Sequence, residues 1–235
     1  MILIHARCQS IAPMIMNQAD DARLRQWVDS PGGQEPLPDP VRDFQSRIYR
    51  DPKGRVAIYR NMLMTALKFA GREVKLGRNR VTTREGTLLP SILRIHDEWI
   101  PLDGGEVGSD VVFVRDVRWS SARRTPKEPQ PRIAGDGHRI AEIIGPKQKP
   151  VRIVRPKVMK WGFNVSLEVE TPGHAQIARQ LFERAGTEAG LGDFRPSLPN
   201  RSEWKSPFGR FRVEAWEMNE PTNAAPRPTL VFETV

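Results

Sequence analysis

The plainest pattern in the chain runs from Val158 to Glu170, where Met159, Trp161, Phe163, Val165, Leu167 and Val169 alternate with Lys160, Gly162, Asn164, Ser166 and Glu168. A period of two belongs to a strand with one buried and one wet face. Thr171-Pro172 reads as the cap and first residue of a helix in which Ile177, Ala178, Leu181 and Ala185 form an apolar stripe. Leu63, Ala66, Leu67 and Ala70 make an earlier stripe at the same helical spacing, with Asn61 as the expected cap and Gly71 as the expected stop. Ile2 to Arg7, Ser91 to His96, Val111 to Val117 and Phe211 to Met218 read as strands. Trp99 to Gly108 reads as a turn-rich connection, and Asp20 to Val28 as a helical turn ended by Ser30-Pro31-Gly32-Gly33.

The order strand, helix, strand, strand, helix, strand predicts an α+β fold with a ferredoxin-like, RRM-like βαββαβ core. A chain of 235 residues is long enough for one such domain carrying a large insertion. The expected layout is a single domain over 1–220 with an inserted arm over 118–157. A Pro-rich tail follows at 221–235, where Thr229 to Val235 is a candidate edge strand.

Charge sharpens this picture. The chain carries a formal charge of +9. The segment 118–157 holds eleven Lys or Arg residues against Glu128, Asp136 and Glu142, and so supplies all but one unit of it. Such an excess points to a polyanionic partner, with nucleic acid and acidic lipid both compatible on charge alone. Gly135-Asp136-Gly137 offers a turn, so the segment reads as a basic hairpin or arm; a solvated linker is the alternative. A second basic run, Arg72, Lys75, Arg78, Arg80 and Arg84, follows the first helix. Trp119 beside Arg123 and Arg124, and Trp204 among Arg201, Lys205 and Arg210, interleave aromatics with cations. That combination holds single strands by stacking and phosphate neutralisation.

Two glycine pairs stand near the C-terminus, Ala189-Gly190-Leu191-Gly192-Asp193-Phe194-Arg195-Pro196 and Phe208-Gly209-Arg210-Phe211. Glycines beside arginines at a helix-to-strand passage are expected to leave backbone N–H groups open to an anion, and Gly192 is expected at positive φ or flush against a phosphate. The alternative is a turn with its arginines facing water. The predicted nucleic-acid contacts are therefore Arg72, Lys75, Arg78, Arg80, Trp119, Arg123, Arg124, Arg152, Arg155, Gly190, Gly192, Arg195, Gly209 and Arg210.

Little else in the chain speaks for catalysis. His5, His96, His138 and His174 lack metal-ligand spacing, and neither a phosphate-loop lysine motif nor a serine nucleophile elbow occurs. No metal or other cofactor is expected. Cys8 is the lone cysteine and reads as a small packing residue in a reducing compartment. The apolar start, Met1 to Ala6, is too short for a signal peptide, which predicts a cytoplasmic protein without a membrane span.

Three places resemble the RAMP superfamily of CRISPR-associated proteins, in particular the subunits that line a guide RNA. Ile48-Tyr49-Arg50-Asp51-Pro52-Lys53-Gly54-Arg55-Val56-Ala57-Ile58, running into the helix, is similar to the family's Asp-x-Gly segment. The two glycine pairs are similar to its C-terminal loop and following strand, and 118–157 stands where the family carries a thumb-like protrusion. The chain departs from the family pattern at Arg60, where a small residue is usual, and in the long segment between the glycine pairs. Its Gly-x-Gly-Asp-aromatic-Arg-Pro motif also resembles a group of phage and prophage proteins. The resemblance implies binding of single-stranded RNA, with further copies or other subunits along the strand. Some RAMP proteins cut RNA with an N-terminal histidine or a loop aspartate, which here makes His5, Asp20 and Asp21 the catalytic candidates. The rivals to RNA binding are a phage single-stranded DNA binding or annealing protein and a metal-independent endoribonuclease.

Overall fold

The computed structural model describes residues 1–18, 29, 45–104, 107–115, 152–193, 195–197 and 207–219. Its architecture is mixed α and β, with antiparallel sheets and few helices. The expected turn at 20–28, the arm's turn at 135–137 and the tail lie outside the described residues.

Among the described residues a six-stranded sheet has the order β11-β1-β10-β7-β3, with β6 beside β7 on the same flank of β10. These are β1 (Ile2–Ser10), β3 (Ala57–Tyr59), β6 (Leu93–Ile95), β7 (Trp99–Asp103), β10 (Gly162–Val169) and β11 (Phe211–Asn219). Every pairing in it is antiparallel. In β1 the side chains of Ile2, Ile4, Ala6 and Cys8 are buried while Leu3, His5 and Arg7 are exposed. β10 buries Phe163, Val165, Leu167 and Val169 in the same way. The buried face packs on α1 (Arg60–Ala70) and α3 (Pro172–Arg184), which contribute Leu63, Leu67, Ala178 and Leu181 to one core with Ile4, Cys8, Phe163 and Leu167. Among the described residues no helix packs on the other sheet face. Burial pushes the Cys8 thiol up to about 12, so it stays protonated and inert.

Helix α3 begins as the sequence predicts: the Thr171 side chain accepts from the His174 N–H over 3.1 Å, and Pro172 stands where no N–H is needed. Ala175 and Phe182 join the predicted stripe, and Ile177 is only half-buried. A π-helical turn, Ala185–Ala189, continues from its end. Helix α1 differs from expectation at both ends. It starts at Arg60 rather than after Asn61, and its first N–H donates to the Glu98 carbonyl over 2.8 Å in place of a side-chain cap. Arg60, the departure from the RAMP pattern, donates from Nη1 to the Ile95 and His96 carbonyls. Gly71 is right-handed (φ −62) and glycine for another reason: a Cβ there would lie 2.5 Å from Thr82 Oγ1.

Three strand predictions need correction. The stretch read as a connection from Trp99 contains β7. Ser91 to His96 divides into a short helix, α2 (Leu89–Ile92), and β6. The long alternation from Val158 breaks at Met159, which is exposed, so that two strands, β9 (Arg152–Val158) and β10, take its place. β9 lies between β2 (Met14–Ile15) and β8 (Val107–Arg115) in a separate three-stranded sheet. The last residues of the expected arm are thus sheet. Trp161, between the two strands, is fully buried, packs edge-on to Phe211 and donates from Nε1 to the Ala12 carbonyl over 3.0 Å.

Candidate nucleic-acid interface

The glycine signature folds into a clasp. The Gly190 N–H donates to the Ala185 carbonyl, that of Leu191 to Gly209, that of Asp193 to Ile15 and that of Gly209 to Pro13, all within 2.7–2.9 Å. Gly192 adopts φ +78, as predicted, but what lies flush against it is protein: a Cβ would meet the Ile15 carbonyl oxygen and lie 2.7 Å from Met14 Cγ. Arg195 donates from Nη1 to the Gly192 carbonyl over 2.8 Å and from Nε to Ser197 Oγ over 3.1 Å. All four N–H groups are therefore engaged within the protein, those of Asp193 and Gly209 by the N-terminal turn at Pro13–Ile15, and do not form an open cradle of donors. Gly190, Gly192, Gly209 and Arg195 meet, and they hold one another.

Arg155 is corrected as well. Instead of standing out on an arm it is 8 % exposed, and its Nε lies 3.4 Å from Asp193 Oδ2. Arg152 opens β9 opposite Arg115. Arg210 is half-buried; its carbonyl accepts from the Ile11 and Ala12 N–H groups, and its Nε is buried without a partner. Asp20, Asp21, Trp119, Arg123 and Arg124 lie outside the described residues. His5 is an exposed sheet residue whose Nδ1 shares a 2.9 Å hydrogen bond with Ser166 Oγ. Among the described residues no cluster of three His, Cys, Asp or Glu side chains is placed to hold a metal ion, and no helix is long and apolar enough to cross a membrane.

The basic run after α1 is assembled differently. β4 (Lys75–Leu76) and β5 (Asn79–Arg80) form a hairpin, with Gly77 at φ +62 in its two-residue turn. Buried Val74 and Val81 fix its base, joined by a 2.9 Å hydrogen bond from the Val81 N–H to the Val74 carbonyl. Lys75 stands directly opposite Arg80, and both are exposed, as are Arg72, Arg78 and Arg84. Arg72 lies over the Phe69 ring, 5.1 Å from its centroid. Among the described residues no carboxylate pairs with any of these cations. Like charges set opposite each other weaken a hairpin, so this one is built at a cost in stability.

A further feature lies on the sheet face away from α1 and α3. In β7, Ile100 is buried, and Trp99 and Asp103 alternate to the opposite side, where Asp103 accepts from the Asn164 side chain. Trp99 meets Tyr59 of β3 edge to face, with ring centroids 5.1 Å apart, and both are half-buried. The Tyr59 hydroxyl donates to Glu98 Oε1 over 3.2 Å. The alternation in Trp99-Ile100-Pro101-Leu102 is the signal that could have found this pair. No family model matches the chain, and no curated protein matches it.

Proposed function

We propose that the protein binds single-stranded nucleic acid, with RNA as the preferred strand, and that it does so without cutting it. The observation that carries this is the β4–β5 hairpin, where Lys75 faces Arg80 beside Arg72 and Arg78 and, among the described residues, no carboxylate pairs with them. A polyanion relieves the repulsion that the fold leaves standing. The half-buried Trp99–Tyr59 pair offers an aromatic surface on the same molecule for an unpaired base. The formal +9 of the chain favours the same class of partner.

A ferredoxin-like core of RAMP type fits this reading. In such a core the last strand lies beside the first and the third separates the first from the second. The order β11-β1-β10 followed by β6 and β7, with α1 before β6 and α3 between β10 and β11, is what supports this reading. β3 then counts as an added edge strand.

Binding of a labelled RNA and the DNA of the same sequence, each measured across a salt series, tests the proposal. A steep salt dependence with tighter RNA binding is expected. Tighter DNA binding assigns the annealing-protein reading, and cleavage of the RNA assigns the nuclease. Sequencing the nucleic acid that copurifies with the protein identifies the strand it holds in the cell.

A further inference from the structure

Phe69 stands in the last turn of α1, half-buried and packed against the core. Arg72 follows one turn on; it is exposed, and its N–H donates to the Phe69 carbonyl over 3.2 Å. With its guanidinium carbon 5.1 Å from the ring centroid, the side chain rests on the negative face of the ring. Among the described residues no ion pair engages it, and the nearest acids in sequence, Glu73 and Glu85, are exposed and pair with no cation. The guanidinium is thus backed by a ring on one side and open to solvent on the other.

Backbone bonds tie Arg72 to the base of the hairpin. The Gly71 carbonyl accepts from the Thr82 N–H and the Val74 carbonyl from the Val81 N–H, each over 2.9 Å, with only Arg72 and Glu73 between them. Because Val74 and Val81 are joined in this way, Lys75 and Arg80 form the next, non-hydrogen-bonded pair, in which opposed side chains stand closest. Leu76 packs on the core, so alternation turns Lys75 and Arg80 outward. Two crowded cations therefore adjoin a ring-backed guanidinium. Phosphate alone needs only the cations, and a lysine would serve it at position 72 without a ring. A flat guanidinium seated on an aromatic face suits a second flat group, and an unpaired base supplies one. A nucleotide of a single strand carries both the phosphate and the base.

We infer that Arg72, seated on Phe69, is a base-stacking position for the bound strand, next to the phosphate contacts of Lys75 and Arg80. The inference rests on the single-strand reading above and adds that the hairpin engages an unpaired base as well as backbone charge. Phe69 is a positioning residue in this arrangement: it holds the guanidinium and leaves the ligand to Arg72.

The test is competition between two oligomers of equal length and charge, a uridine oligonucleotide and a strand of abasic tetrahydrofuran units, across a salt series. The parent is expected to favour the uridine oligomer. Arg72→Lys keeps the charge and removes the flat guanidinium; it should lower that preference about fivefold, the lower end for one stacked base, with the salt slope unchanged. Phe69→Leu, which removes the ring, should lower the preference in the same direction. Lys75→Gln with Arg80→Gln should weaken both oligomers alike, and Arg84→Lys, at an exposed arginine of the same run, should leave the preference as in the parent. A preference in Arg72→Lys equal to the parent's overturns the stacking position while the single-strand reading stands. Equal binding of the two oligomers by the parent overturns it too, and marks the hairpin as a contact for backbone charge alone. A parent that binds neither oligomer removes the single-strand reading, and the inference falls with it. If Phe69→Leu does not fold, Arg72→Lys decides, since the exposed Arg72 side chain can be changed without opening the core.

Discussion

Leu191 and Gly209 lie backbone against backbone: the Leu191 N–H donates to the Gly209 carbonyl over 2.9 Å, and a Cβ on Gly209 would run into the Leu191 carbonyl oxygen. The two glycine pairs of the sequence are therefore one device. Gly209 also donates to Pro13, so the device joins the last strand, the exit of α3 and the N-terminal turn at a single point.

Gly209→Ala should lower stability by about 3 kcal/mol or more, because a positive φ and an occupied volume act together. Gly54 has a similar φ of +78 but open space around it, and Gly54→Ala should cost only about 1 kcal/mol. Urea denaturation of the two variants checks the ratio; equal losses would show that the Leu191 contact yields easily.

Removing cations from the hairpin separates binding from folding. Arg78→Gln with Arg80→Gln is expected to lower the log-log salt slope for RNA by about 1.4, or about 0.7 for each lost phosphate contact. The melting temperature should hold or rise slightly, since the Lys75–Arg80 repulsion is gone. Anisotropy titrations and a thermal melt on the same sample decide this.

Two tryptophans should behave oppositely. Trp99→Ala is expected to weaken binding by about 1–3 kcal/mol, the range for one base stacked on an aromatic ring, with a modest effect on folding. Trp161, fully buried, should instead cost about 3–5 kcal/mol of stability when truncated to Ala. A Trp99→Ala variant with unaltered affinity would remove the open sheet face from the binding surface.

Asp51 gives the fold a defined acid limit. Burial pushes its pKa up, but the Arg55 side chain and the Arg55 and Lys53 backbone N–H groups outweigh that and hold it below the ordinary carboxylate value. A carboxyl with a depressed folded pKa stabilises above its unfolded value and stops doing so as pH falls through the folded one. Asp51→Asn should therefore be less stable than the parent at neutral pH, with the difference shrinking on acidification. Denaturation midpoints across an acid series measure it; a gap that does not change with pH would assign Asp51 a purely steric role.

What the sequence disclosed follows from the range of the interactions. The stripes in α1 and α3, the Thr171 cap and the alternation in β10 are local and could be read directly. β7 was hidden because Pro101, which has no N–H to give, interrupts a short strand next to Asp103-Gly104-Gly105 and imitates a turn. The glycine positions announced an unusual backbone, but not the partner, since Pro13 and Ile15 come from the opposite end of the chain. Arg155 and Lys157 looked like arm residues because β2, which covers one edge of β9, is only two residues long and leaves no pattern. Of the interface, the hairpin cations were legible as a cluster of charge, whereas Tyr59 and Trp99 were not, because their pairing depends on the register of β3 with β7.

The position of β1 has a consequence for how the protein is made. It lies between β10 and β11, and its His5 meets Ser166 across 161 residues of chain. β1 thus leaves the ribosome well before the two strands it pairs with. At about 5–20 residues per second, it waits roughly 8–32 s with Ile2, Ile4, Ala6 and Cys8 uncovered. Contacts so distant in sequence also slow the folding step itself. The nascent chain is therefore most open to aggregation before β10 emerges to cover these side chains.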